Sequence, residues 1–174
     1  AMQCIVSLLH HEPTRSELTR KHYAAQFMAD DTRVDETLIE LIQAFDSDSA
    51  EATLVLSLLV ELDAVAADAK LAGEIVDPLL RMTGRDVLAD QDHAAKMLAQ
   101  FAGPGCAPGE LIDAGAVEPL VALLGPRTSP DSPAKEHAAL ALSDLALVNP
   151  GVIVEAGAVP ALTLMLPSAS PGAV

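Results

Sequence analysis

The chain has 174 residues, 51% of them apolar and 20% charged, which suits one compact domain or a short repeat array and excludes a disordered acidic tail. A net charge of −15 and an aromatic content of 2%, with no Trp, argue against nucleic-acid binding, which needs a basic footprint or rings that stack on bases. No apolar run reaches the roughly 20 residues that span a bilayer, and Cys4 and Cys106 are too far apart in sequence to suggest a disulfide framework. They fit a reducing compartment, so a cytoplasmic protein is expected, with the nucleus also open.

Taken in chain order, the helical stretches fall into two alternating motifs. EATLVLSLLV (51–60), DHAAKMLAQFA (92–102) and EHAALALSDLA (136–146) are copies of one. LAGEIVDPLLRM (71–82), ELIDAGAVEPLVALL (110–124) and VIVEAGAVPALTLML (152–166) are copies of the other. Gly115 pairs with Gly157 and Val117 with Val159, an offset of 42; Val76 precedes Val117 by 41. A period near 42 residues is the spacing of a helical solenoid of the armadillo or HEAT class. Tyr23, Phe27, Phe45 and Phe101 are the only Phe, Tyr or Trp side chains, so the core must be made of many small Ala, Leu and Val contacts.

The AGAVxPL segments, followed by an AAxxLxxLA helix, make the chain resemble the armadillo repeat. In that repeat a short first helix ends at a Gly, a second leaves at nearly a right angle, and a long third helix lines one face. The likeness covers nearly the whole chain and is strongest over 86–166. It implies an all-α fold, a right-handed α-solenoid of about four to five repeats with the first and last incomplete. The array would be a single domain over 1–174, irregular over 1–83, regular over 84–167, with a tail at 168–174. In this register the second helices fall at 2–9, 35–45, 75–82, 116–124 and 158–166. The third helices fall at 14–29, 47–62, 86–102 and 132–147.

Local chemistry agrees with this partition. Thr14 and Glu17 have capping-box spacing. Ser132 before Pro133, and Asn149 before Pro150, read as N-caps followed by a residue that costs nothing at the first helical position. Gly103-Pro104 stops the helix carrying Phe101, with Gly103 expected as a left-handed cap. Gly115 and Gly157 fit the sharp bend between first and second helices. At the matching place in the copy before them stands Glu74, next to Gly73.

Catalytic sets are absent from the pattern, and neither enzyme activity, a cofactor nor a metal is expected. His93 and His137 start successive third helices, and repeat equivalence accounts for their similarity. His10 and His11 are adjacent and cannot both face one metal from a helix. Cys106 sits in GPGCAPG with no His near it in sequence, and that loop lacks the strand-then-helix setting of a phosphate loop.

The resemblance implies that function resides in the groove lined by the third helices. Import receptors of the importin-α type place a Trp and, four residues on, an Asn at each rung. Here the Trp positions are Leu54, Lys96 and Leu140, and the Asn positions are Leu58, Gln100 and Asp144. No rung keeps the pair, which disfavours that receptor role while leaving a partner lying along the groove. Asp92, Lys96 and Gln100 make a mixed polar rung; Glu136, Leu140, Ser143 and Asp144 make an acidic rung with an apolar centre. Leu54 and Leu58 are either a greasy rung or core.

The expected role is a non-catalytic interaction scaffold or adaptor. Two readings stand beside it: a recruiting or targeting module of a larger protein, such as a ubiquitin ligase or an axonemal protein, and a small helical enzyme. Between Asp30 and Lys70, eleven acids stand against Arg33 and Lys70, so a steered partner would be basic. Both ends are apolar: Ile5, Val6, Leu8 and Leu9 at one, Leu162, Leu164, Met165 and Leu166 at the other. Solenoid ends need polar caps, so a piece of a longer array or a protomer that stacks end to end is expected.

Overall fold

The structure, a computed structural model, describes residues 38–40, 42–43, 49–61, 69–129 and 132–165. Helices follow one another as α1 (Ser49–Glu61), α2 (Ala69–Thr83), α3 (Leu88–Ala102), α4 (Pro108–Asp113), α5 (Val117–Leu123), α6 (Pro133–Val148), α7 (Pro150–Glu155) and α8 (Ala158–Met165). The described residues contain no strand, as the all-α reading requires. The expected helices at 2–9 and 14–29, the Thr14–Glu17 capping box and most of the acidic stretch lie outside the described residues. Of the expected helix at 35–45, residues 38–40 and 42–43 are described and helical.

Two copies of one short unit carry the clearest local code. Pro108 and Pro150 each open a six-residue helix, where a missing N–H costs no hydrogen bond. Both helices end at a glycine with φ 74°, Gly115 and Gly157. At the first bend Gly115 N–H donates to the Ile112 carbonyl at 3.0 Å and Ala116 N–H to the Leu111 carbonyl at 2.9 Å, the paired bonds of a Schellman cap. Any side chain at a φ of this sign would be strained, so the bend is written into the glycine.

Without that glycine the bend disappears. A separate second helix beginning at Ile75 is corrected: Ala69–Thr83 is one continuous helix, and Gly73 does not adopt positive φ. Pro78 then lies in its interior and cannot donate to the carbonyl of Glu74. Gln43 supplies the missing donor, its Nε2 bonding the Glu74 carbonyl at 3.0 Å. Pro119 avoids the problem, because it sits in the first turn of α5, where amides have no intrahelical acceptor.

Two capping expectations also change. Gly103 ends α3 but with φ −59° and ψ 158°, so it is extended rather than left-handed; Gly105, at φ 84°, makes the turn. Ser132 has the extended backbone of an N-cap, yet its hydroxyl is buried and finds no partner among the described residues. Asn149 behaves as expected, its Oδ1 accepting from Val152 N–H at 3.5 Å.

The long helices α1, α3 and α6 form a row in which α3 packs against both of the others. On the other side α2 packs against α3 and α5, and α5 packs against α6. The core between these tiers is mostly Leu and Ala, with Phe101, Met82 and Met97 fully buried. Asp90 is the one buried acid among the described residues, and it is ion-paired with Arg85 at 2.8 Å beside the start of α3.

Candidate partner-binding faces

Successive long helices are tied by polar contacts, at different positions along the two junctions. Lys96 Nζ meets Glu61 Oε2 at 3.0 Å, and Gln100 Nε2 donates to the Ser57 carbonyl at 2.8 Å; both links join α3 back to α1. His137 Nδ1 lies 3.2 Å from Asp92 Oδ1 and joins α6 back to α3. Arg127 and Asp86 make a further pair at 3.2 Å, almost wholly in solvent. Half-exposed pairs of this kind are worth about 0.2–1 kcal/mol each, so they set the register of the row more than they hold it together.

The expected groove residues therefore separate into three groups. Lys96, Gln100 and Asp92 are half-buried and engaged between helices. Glu136, Leu140 and Ser143 are exposed and Asp144 is half-exposed, all on α6. Leu54 is half-buried against the core, and Leu58, only 2% exposed, belongs to the core rather than to a groove. The reason is visible in α1 itself: VLSLL over 55–59 is apolar nearly all round, and every one of those residues is buried.

Exposed apolar side chains also lie off the rungs, among them Leu164 of the expected apolar end. Leu147 is 83% exposed at the end of α6, and Val154, Val159 and Leu164 are exposed on α7 and α8. The residue matching Val159 is Val117, at 2% exposure in α5, so the same side chain is covered in one copy and exposed in the other.

An open cleft lies between the two short units, lined by Ile112, Val117, Glu118, Val152 and Glu155. It brings two carboxylates together between apolar walls, with no Ser, Cys, His or Lys in the lining. Among the described residues no group of three or more His, Cys, Asp or Glu could hold a metal, and none of the helices is long and apolar enough to cross a membrane. Cys106 is a half-buried free thiol.

Comparison with known proteins follows the same lines. Residues 108–147, the segment α4–α6, match the Armadillo/beta-catenin-like repeat. Two crystal structures of engineered proteins from the Northeast Structural Genomics Consortium are similar to the chain. One is 28% identical with a TM-score of 0.63, covering 97% of this chain and 73% of that one. The other is 24% identical with a TM-score of 0.56, covering 92% and 71%. No curated protein matches.

Proposed function

We propose that this armadillo-repeat chain is a non-catalytic scaffold that holds an extended segment of a basic partner along the face made by α1, α3 and α6. The observation that carries this reading is the row itself: three long helices side by side, crossed by Lys96, Gln100 and His137 links, with Glu136, Leu140 and Ser143 exposed on α6. On this reading the array is a right-handed superhelix of four to five repeats, the outermost incomplete, forming one domain.

Lys96 and Gln100 form the floor between α1 and α3, with Asp92 beside them and the half-buried Leu54 at its edge. Leu140 supplies an apolar contact and Asp144 an acceptor, with Glu136 and Ser143 at the rim. A net charge of −15 steers a basic segment and repels an acidic one. The two cysteines, distant in sequence, suit work in a reducing compartment such as the cytoplasm.

The test is quantitative affinity purification with the natural chain and with a Leu140→Glu, Asp144→Lys variant. Partners retained by the natural chain and lost by the variant, with binding that weakens as salt rises, support the reading. Identical partner sets would refute it.

A further inference from the structure

We propose that Ser129, on the loop between α5 and α6, is a phosphorylation site for a proline-directed serine kinase. The site stands apart from the groove and shares no residue with it. The sequence holds three Ser-Pro pairs: Ser129-Pro130, Ser132-Pro133 and Ser170-Pro171. By sequence alone Ser132 is the better substrate of the two on this loop. Lys135 stands three residues after it, where many kinases of this class favour a base.

The fold reverses that order. Ser132 is 3% exposed, its hydroxyl is enclosed, and it is the N-cap of α6. Presenting it to a kinase means unwinding the first turn of α6 and drawing Ala134 out of the core. A phosphate left there would be a buried double charge. Thr128 is 4% exposed, whereas Ser129 beside it is exposed. Ser129 belongs to no helix, and the bonds that shape its surroundings are two turn bonds. Thr128 N–H donates to the Gly125 carbonyl at 3.4 Å, and Ser132 N–H to the Ser129 carbonyl at 3.1 Å. Drawing the Ser129 hydroxyl into a kinase cleft therefore breaks no helix and uncovers no core.

The preceding repeat shows that this loop is an addition. Four residues, 84–87, join α2 to α3, whereas nine, 124–132, join α5 to α6. Each connection carries an arginine, Arg85 or Arg127, and the residues after Arg127 hold both Ser-Pro pairs. Insertions specific to one repeat map to surface loops, where function concentrates. Arg85 is tied to the buried Asp90, but Arg127 pairs with Asp86 in solvent, its side chain 84% exposed. A solvated guanidinium two residues from Ser129 supplies a cation for the phosphate.

In the transfer, Ser129 Oγ attacks the γ-phosphorus of ATP. The new O–P bond forms as the bond to the β-phosphate oxygen breaks, ADP leaves, and the hydroxyl proton passes to the catalytic carboxylate of the kinase.

The test incubates the full chain, carrying Ser170→Ala, with a recombinant proline-directed kinase and ATP. Phosphate is mapped over time by tandem mass spectrometry, and a synthetic peptide of residues 125–138 serves as the unfolded reference. The peptide should be labelled at both serines. The full chain should be labelled at Ser129 at least roughly tenfold faster than at Ser132, because Ser132 reacts only when the start of α6 opens. Ser129→Ala and Pro130→Ala should each remove the Ser129 label.

A full chain that stays unlabelled at Ser129, whether or not the peptide reacts, overturns the proposal. So does labelling of Ser132 in the full chain as fast as Ser129, since exposure would then not select the site. A Ser129 label that survives Pro130→Ala would contradict the proline-directed class and overturn it as well.

Discussion

The unit α4–α5 and the unit α7–α8 are near copies that lead different lives. Both open on Pro-Gly, both turn at a glycine with φ 74°, and both continue into a helix that begins Ala-Val. Yet Leu120 is fully buried while its counterpart Leu162 is only partly so, and Val117 is covered while Val159 is not. Helix α5 packs against α6, and no described helix takes that place beside α8. Local conformation in this fold is thus a property of the repeat, and burial is a property of its neighbour. That division is what a one-dimensional array predicts, with stability shared between repeats and the contacts that join them.

The largest expected effect separates the two units directly. Leu120→Ala removes a fully buried side chain and should lower unfolding stability by about 2–5 kcal/mol, whereas Leu162→Ala should cost well under half as much. Chemical denaturation of the two variants checks the ratio; equal losses would remove the distinction between the units.

Next in size come the two bends. A Cβ at Gly115 or Gly157 meets no atom within 4 Å, so the cost of alanine is that of positive φ alone, about 1–2 kcal/mol. Gly115→Ala should lower the unfolding midpoint of the whole array, while Gly157→Ala should mainly fray α8, visible as lost helix signal before the main transition.

A third and smaller effect tests the one place where the bend is missing. Gln43→Ala leaves the Glu74 carbonyl without its donor and should cost about 1 kcal/mol. In a Pro78→Ala background, where residue 78 regains an N–H for that carbonyl, the same substitution should cost close to nothing. An unchanged cost in both backgrounds would show that Gln43 acts elsewhere.

Smallest of all are the ties between long helices. Double-mutant cycles on Asp92 with His137 and on Glu61 with Lys96 should each give a coupling of about 0.2–1 kcal/mol. Values well above that range would make these links a source of stability rather than of register.

Much of this was legible in the sequence because repetition prints the same instruction more than once. Gly115 and Gly157 announced their bends, and α1, α3, α5, α6 and α8 lie within a few residues of the expected spans. The fusion of α2 was harder to see, since the loss of one glycine competes with Pro78, a residue that usually argues against a helix interior; only the distant donor Gln43 resolves the conflict.

The candidate faces were less legible still. A side chain at a rung can point to a partner or back to the preceding helix, and Lys96 and Gln100 found acceptors on α1 that their own sequence neighbourhood does not contain. Leu58 looked like a rung because spacing records the face of a helix and not what covers it.

Hydrogen exchange on the intact chain, read helix by helix, tests most directly the claim that burial follows the neighbour. Amides of α5 and α8 sit in nearly the same local sequence, so any difference in their protection reports what packs on them. The account predicts protection in α5 at least roughly a hundredfold above that in α8. Equal protection of the two helices in the free chain would contradict it.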